Sequence, residues 1–171
     1  MISKPLGEDI PPYYMKYIDL CPEQDLLDAL RASMNDTLGF LACIPAEKEN
    51  FQYAEGKWTL KEVLNHIIDT ERIFAYRALR FSRKDNTELA GYNENIFVPN
   101  SNTSERNLQD MAKEYKAVRE ATLALFEYMN GEMLEFKGTA NKFQSSTKGI
   151  GWMIAGHNIH HCNVMREKYL D

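Results

Sequence analysis

The sequence predicts an all-α protein: a four-helix bundle with long inter-helix loops and an extended N-terminal arm. Three observations predict it. Four stretches repeat apolar residues every three or four positions, no stretch alternates convincingly with period two, and helix start and stop residues bracket the four stretches. With 171 residues, the chain has room for one domain at about 100–200 residues each. The reading assigns 1–21 to the arm and 22–171 to a single bundle domain.

Within the arm, Pro5, Pro11 and Pro12 oppose a regular helix, while Tyr13, Tyr14 and Tyr17 offer apolar faces for docking. From Pro22 onward Leu27, Leu30, Met34, Leu38 and Leu41 keep helical spacing, and Pro45 closes the run, so a first helix is expected over 22–43. The second opens on Thr59-Leu-Lys-Glu62, a capping box, and carries Leu60, Leu64, Ile67, Phe74, Ala78 and Phe81 toward an end near Lys84. Residues 85–102 have loop composition, with Tyr92 and Glu94 placed either at the mouth of a pocket or on a solvated surface. A third helix follows from Leu108, Met111, Tyr115, Val118, Thr122, Leu125 and Met129 and stops at Asn130-Gly131. After a polar linker holding Gly138, Gln144, Ser145 and Ser146, a fourth starts between Thr147 and Gly151 and runs to about Tyr169.

The charge balance is 25 acids against 20 bases, a net −5, which repels polyanions, so nucleic acid is not expected as a partner. A hydrophobic share of 44% supplies a packed core and excludes a disordered chain. Cys21, Cys43 and Cys162 lie far apart and odd in number, as free thiols in a reducing compartment do, and no leader or membrane-spanning stretch is visible; a cytoplasmic protein is expected. No phosphate-binding glycine loop, G-x-S-x-G or H-E-x-x-H occurs.

The histidines carry the main lead. His157 and His161 lie on the fourth helix about 40° and 6 Å apart, so both rings can face one ion, and His66 on the second helix can supply a third nitrogen. Three neutral imidazoles suit Zn, Ni or Fe and leave a coordination position open. His160 is an alternative to His161, or a neighbour of the site. Glu71 interrupts the apolar seam of its helix and orients an imidazole, acts as an acid/base group or pairs with an arginine; Asp69 shares part of the His66 face as an acceptor for an imidazole, an acid/base group, a weakly bound ligand or an ion-pair member. Arg77 returns to within about 20° of the His66 face, roughly 16 Å further on, where it binds the carboxylate or phosphate of a ligand or simply pairs at the surface.

The segment from Lys57-Trp58-Thr59 through His66, Asp69, Glu71 and Arg77, then Gly91-Tyr-Asn-Glu-Asn, and finally Gly156-His157-Asn-Ile-His-His161 resembles the DinB superfamily, and within it the YfiT-like branch of metal-dependent hydrolases. The resemblance implies a four-helix bundle and places the family's three metal ligands on His66, His157 and His161. It also implies a divalent metal, a homodimer and a small-molecule substrate. The activity it implies is hydrolysis by activated water; the alternatives are metal-dependent transfer of a low-molecular-weight thiol such as bacillithiol or glutathione, and a non-catalytic stress or interaction protein stapled by its metal.

Overall fold

The computed structural model describes residues 1–170. Four long helices dominate: α2 (Leu26–Ala42), α3 (Leu60–Ser82), α5 (Leu108–Glu127) and α7 (Thr147–Tyr169). Short helices α1 (Met15–Ile18), α4 (Glu94–Phe97) and α6 (Gly131–Glu135) lie between them, and a hairpin of β1 (Lys137–Ala140) and β2 (Phe143–Ser146) precedes α7. Each long helix starts on a side chain that accepts a bond from an otherwise orphaned backbone N–H: Asp25, Thr59, Asn107 and Ser146. At Thr59 the expected capping box closes with Glu62. The first long helix begins at Leu26 rather than Pro22, because Asp25 caps it and also takes the Ile2 N–H.

α3 packs on α5 and α7, and α2 packs on the same two, so α2 and α3 stand diagonally although they are successive in the chain. The long 43–59 connection follows from that arrangement, since it must cross one end of the bundle. α5 and α7 form the other diagonal, and their connection is the folded segment of α6 and the hairpin rather than a plain linker.

The core has two apolar clusters with a polar layer between them. One holds Leu26, Leu30, Phe74, Phe81, Phe126 and Trp152; the other holds Leu41, Leu60, Leu64, Met111, Tyr115 and Met165. Reading along any long helix crosses from one cluster to the other through a buried polar residue: Ser33 and Thr37 on α2, Glu71 on α3, Arg119 on α5, Asn158 on α7. Arg119 is fully buried, forks onto Glu71 at 2.7 and 2.8 Å, and donates to the Leu30 carbonyl and the Ser33 hydroxyl. Asn158 completes the layer by donating to Thr37 at 2.8 Å.

Three expectations need correction. The sequence pattern predicts no strand, yet a hairpin forms; its two-residue turn uses Asn141 and Lys142, both at positive φ (51° and 67°), a conformation normally signalled by glycine. Gly138 on β1 lies so close under the Phe81 ring that a Cβ could not fit, which docks the hairpin on α3. The arm is not extended: residues 7–18 form helical turns, with Pro11 and Pro12 at the cap and first position of one of them, where proline begins a turn rather than breaking it. On α5 the buried stripe runs Met111, Tyr115, Arg119, Thr122 and Phe126, while Val118 and Leu125 are only half-buried. A 3.6-residue period drifts off a strict heptad within three turns.

Candidate metal centre

α3 and α7 bring His66 and His157 into contact mid-bundle, with His161 one turn further along α7. His157 Nε2 lies 3.1 Å from His66 Nε2 and 3.1 Å from His161 Nε2. Among the described residues these three form the one cluster of His, Cys, Asp and Glu whose ligand atoms converge, all within 4.8 Å of one another. A proton on His157 Nε2 can serve only one of its two neighbours at a time, so at least one pair of ring nitrogens meets without a shared proton.

Burial keeps the rings neutral. It lowers His66 to about 4 against a small opposing pull from Glu94, and lowers His161 to about 3 with help from His66 and His160. His157 is pushed well below its ordinary value, by burial first and by the other histidines next. Three neutral imidazoles with converging lone pairs are the donor set that zinc, nickel or ferrous iron takes. Metal–nitrogen bonds near 2.0–2.1 Å give nitrogen–nitrogen separations of about 2.8–3.4 Å between octahedral and tetrahedral angles; the two pairs that His157 makes, at 3.1 Å, fall there, and all three ligand atoms lie within 4.8 Å of one another. The residues therefore fit a divalent ion.

A short relay holds the His66 ring. Its Nδ1 lies 3.5 Å from the Thr70 hydroxyl, which in turn is 2.6 Å from the Tyr92 hydroxyl. An Nδ1–H pointing at Thr70 leaves the Nε2 lone pair toward the centre. On α7, Gly156 permits α1 to approach, since a Cβ there would meet the Tyr17 backbone. Tyr17 then lies against His160 and His157, at ring-centroid distances of 4.6 and 6.2 Å.

Around the histidines lies a cavity of about 440 Å³. It gathers His66, His157 and His161, together with Arg77, Tyr92 and Glu94 from the expected list and His160 beside them. Asp69 and Glu71 do not line it. Glu71 is turned about 140° from His66 around α3 and is spent on Arg119. Asp69 accepts from Asn65 and lies 3.8 Å from Arg72; burial raises its pKa against the pull of those partners. The acid/base role considered for the two carboxylates thus has no support in their placement.

Sequence reasoning missed Tyr14, Tyr17, Thr70 and Phe74 as cavity residues. A signal was present for two of them: Thr70 and Phe74 follow His66 at four and eight positions, on the same face of α3. The tyrosines carried no such signal, because only Gly156 on a distant helix tells where they dock.

A family model described as the DinB superfamily matches residues 29–165. No curated protein matches the chain. Among solved structures the chain is similar to one described as "YfiT from Bacillus subtilis is a probable metal-dependent hydrolase with an unusual four-helix bundle topology", with a TM-score of 0.70 and 15% identity over 97% of this chain and 94% of that one. At that identity the likeness shows the fold. No helix among the described residues is long and apolar enough to cross a membrane.

Proposed function

This chain belongs to the DinB superfamily, and from that premise we propose that it holds one divalent metal ion, zinc, nickel or iron, on His66, His157 and His161 and hydrolyses a small-molecule substrate. The observation that carries the reading is the convergence of three neutral Nε2 atoms, two from buried rings and one from the half-buried His161, on a cavity. When bound, such an ion supplies Lewis acidity, polarising a carbonyl and acidifying water toward neutrality. The chain does the rest. Tyr92 and Thr70 fix the His66 ring; Tyr14, Tyr17, Trp58 and Phe74 wall the cavity and thin the water in it, which strengthens electrostatic interactions inside. Glu94 is the one carboxylate among the lining residues and takes the proton that hydrolysis releases. A homodimer and a cytoplasmic location belong to the same reading, the first checked by sedimentation equilibrium.

Metal content measured by mass spectrometry tests it. About one ion per chain is expected in wild type and in His160→Ala, and none in His66→Ala, His157→Ala or His161→Ala. Chelation should lower the melting temperature of wild type but not of His66→Ala, because an ion present at a thousandfold its Kd adds about 4 kcal/mol of apparent stability. Absence of metal after reconstitution with zinc, nickel and iron would sink the proposal. Turnover that requires an added thiol would replace hydrolysis by thiol transfer, and a loaded protein inert to both would leave a metal-stapled, non-catalytic one.

A further inference from the structure

α3 presents one stripe of side chains to the cavity: His66, Thr70, Phe74 and Arg77. These positions span about 80° of the helix surface and about 16 Å of its axis. The stripe begins at the histidine cluster, passes a hydroxyl and an aromatic ring, and ends at a guanidinium.

Arg77 is 7% exposed and lines the cavity, yet its one hydrogen bond among the described residues is donated to the Ala90 carbonyl at 3.1 Å. Its guanidinium stacks on Phe74 at 5.4 Å from the ring centroid. Among the described residues no carboxylate pairs with it. Glu94, the acid in the cavity, acts on His66, Tyr14 and Tyr92 and forms no ion pair with Arg77. The titratable groups that do face Arg77 are Tyr14 and Tyr92, both kept as neutral phenols by burial. The donors of that guanidinium left unpaired within the chain open on the cavity, and a lone carbonyl neither takes all five nor offsets the charge. Elsewhere in the same molecule, Arg119 shows the satisfied arrangement, with a carboxylate, a carbonyl and a hydroxyl around it.

We propose that Arg77 is the anion-binding end of the substrate site: the substrate is an elongated small molecule with a carboxylate or phosphonate-type oxyanion on Arg77 and its reacting group at the histidines. The proposal rests on the metal reading for the second half of that sentence and stands without it for the first. Helical side chains lean toward the N-terminus and arginine is the longer of the two, so the guanidinium reaches back over Phe74 and the two ends of the ligand lie closer together than the roughly 16 Å of helix axis between His66 and Arg77. Thr70 and Tyr92 offer hydroxyls midway, and Phe74 and Tyr14 favour an apolar or planar spacer.

Calorimetry on two forms of the protein tests this. For the metal-free form the probes are heptanoate, hexylphosphonate and heptanamide. Heptanoate, or hexylphosphonate if the anion is of that kind, should bind at least tenfold more tightly than the amide. Arg77→Gln should weaken it about 10–100-fold, the loss expected for hydrogen bonds to a charged partner, and Arg77→Lys should recover part of that. For the metal-loaded form the probes are straight-chain hydroxamic acids ending in a carboxylate, with two to eight methylenes. Affinity should peak at an intermediate length and lose the peak in Arg77→Gln or when the carboxylate is a methyl ester.

Melting curves separate binding from folding. Removing an uncompensated buried charge should leave the free Arg77→Gln protein at least as stable as wild type, whereas a structural arginine would lower its melting temperature. Equal binding of acid and amide, or affinity indifferent to Arg77→Gln, overturns the anion site. Arg77-dependent binding of the simple anions with no gain from the hydroxamate supports the anion site while the metal reading fails.

Discussion

α3 and α7 each carry two polar layers back to back, one sealed and one open. On the inner side Glu71 and Asn158 meet Arg119 and Thr37, and the layer is closed on itself. On the outer side His66, His157, His161 and Arg77 face a cavity with fewer partners than their chemistry asks for. Both layers are largely buried, with only His161 half-buried in the open one, so burial alone does not mark a functional residue. The difference lies in satisfaction: groups whose donors and acceptors are matched within the chain hold the bundle together, and groups left unmatched at a cavity are available to a ligand.

The largest expected effect is on the sealed layer. Removing one member, as in Arg119→Met or Glu71→Gln, strands its partner in the core and should cost about 3–5 kcal/mol, a drop of roughly 2–4 °C per kcal/mol in a chain of this size. The double replacement Glu71→Leu with Arg119→Met should recover much of that loss in a urea titration. If the single variants melt like wild type, the contrast between the layers collapses.

A smaller and pH-dependent effect belongs to the open layer. His66 titrates near 4 in the folded, metal-free protein against an ordinary value of 6.5, and His161 near 3. As pH falls the unfolded chain takes up protons first, so the metal-free protein should be at full stability above about pH 6.5 and lose it progressively down to about pH 3. Urea midpoints across that range should slope upward with pH and become shallower in His66→Ala, where His157 and His161 still contribute. A slope of opposite sign would mean that the rings are charged in the folded state.

The smallest effect concerns the wall that the N-terminal segment lends to the open layer. In Gly156→Ala the new methyl meets the Tyr17 backbone, which cannot rotate away, so α1 must shift. A cost of about 1–3 kcal/mol is expected, with weakened binding of any cavity ligand. Gly151→Ala meets only the ends of the Leu26 and Phe126 side chains and should cost less, by thermal melting.

The long helices were legible because each is a local matter: a cap, a 3.6-residue apolar stripe and a stop. The histidine cluster was legible for the same reason on α7, where His157 and His161 share one face, and His66 required only that α3 and α7 be neighbours. Arg119 was not legible, since an arginine in an apolar stripe reads as a surface residue until Glu71 arrives from another helix. The hairpin escaped because its turn has asparagine and lysine where glycine is the usual sign.

By itself, then, the sequence determined the helices, their caps and the three histidines, all set by interactions spanning a few residues. Tertiary structure alone decided which face of α3 is sealed and which is open, because that depends on partners brought from α1, α5 and the 85–102 loop. Glu71 and Arg77 sit six residues apart on one helix; what surrounds each, rather than what each is, makes one a clamp and leaves the other waiting for an anion.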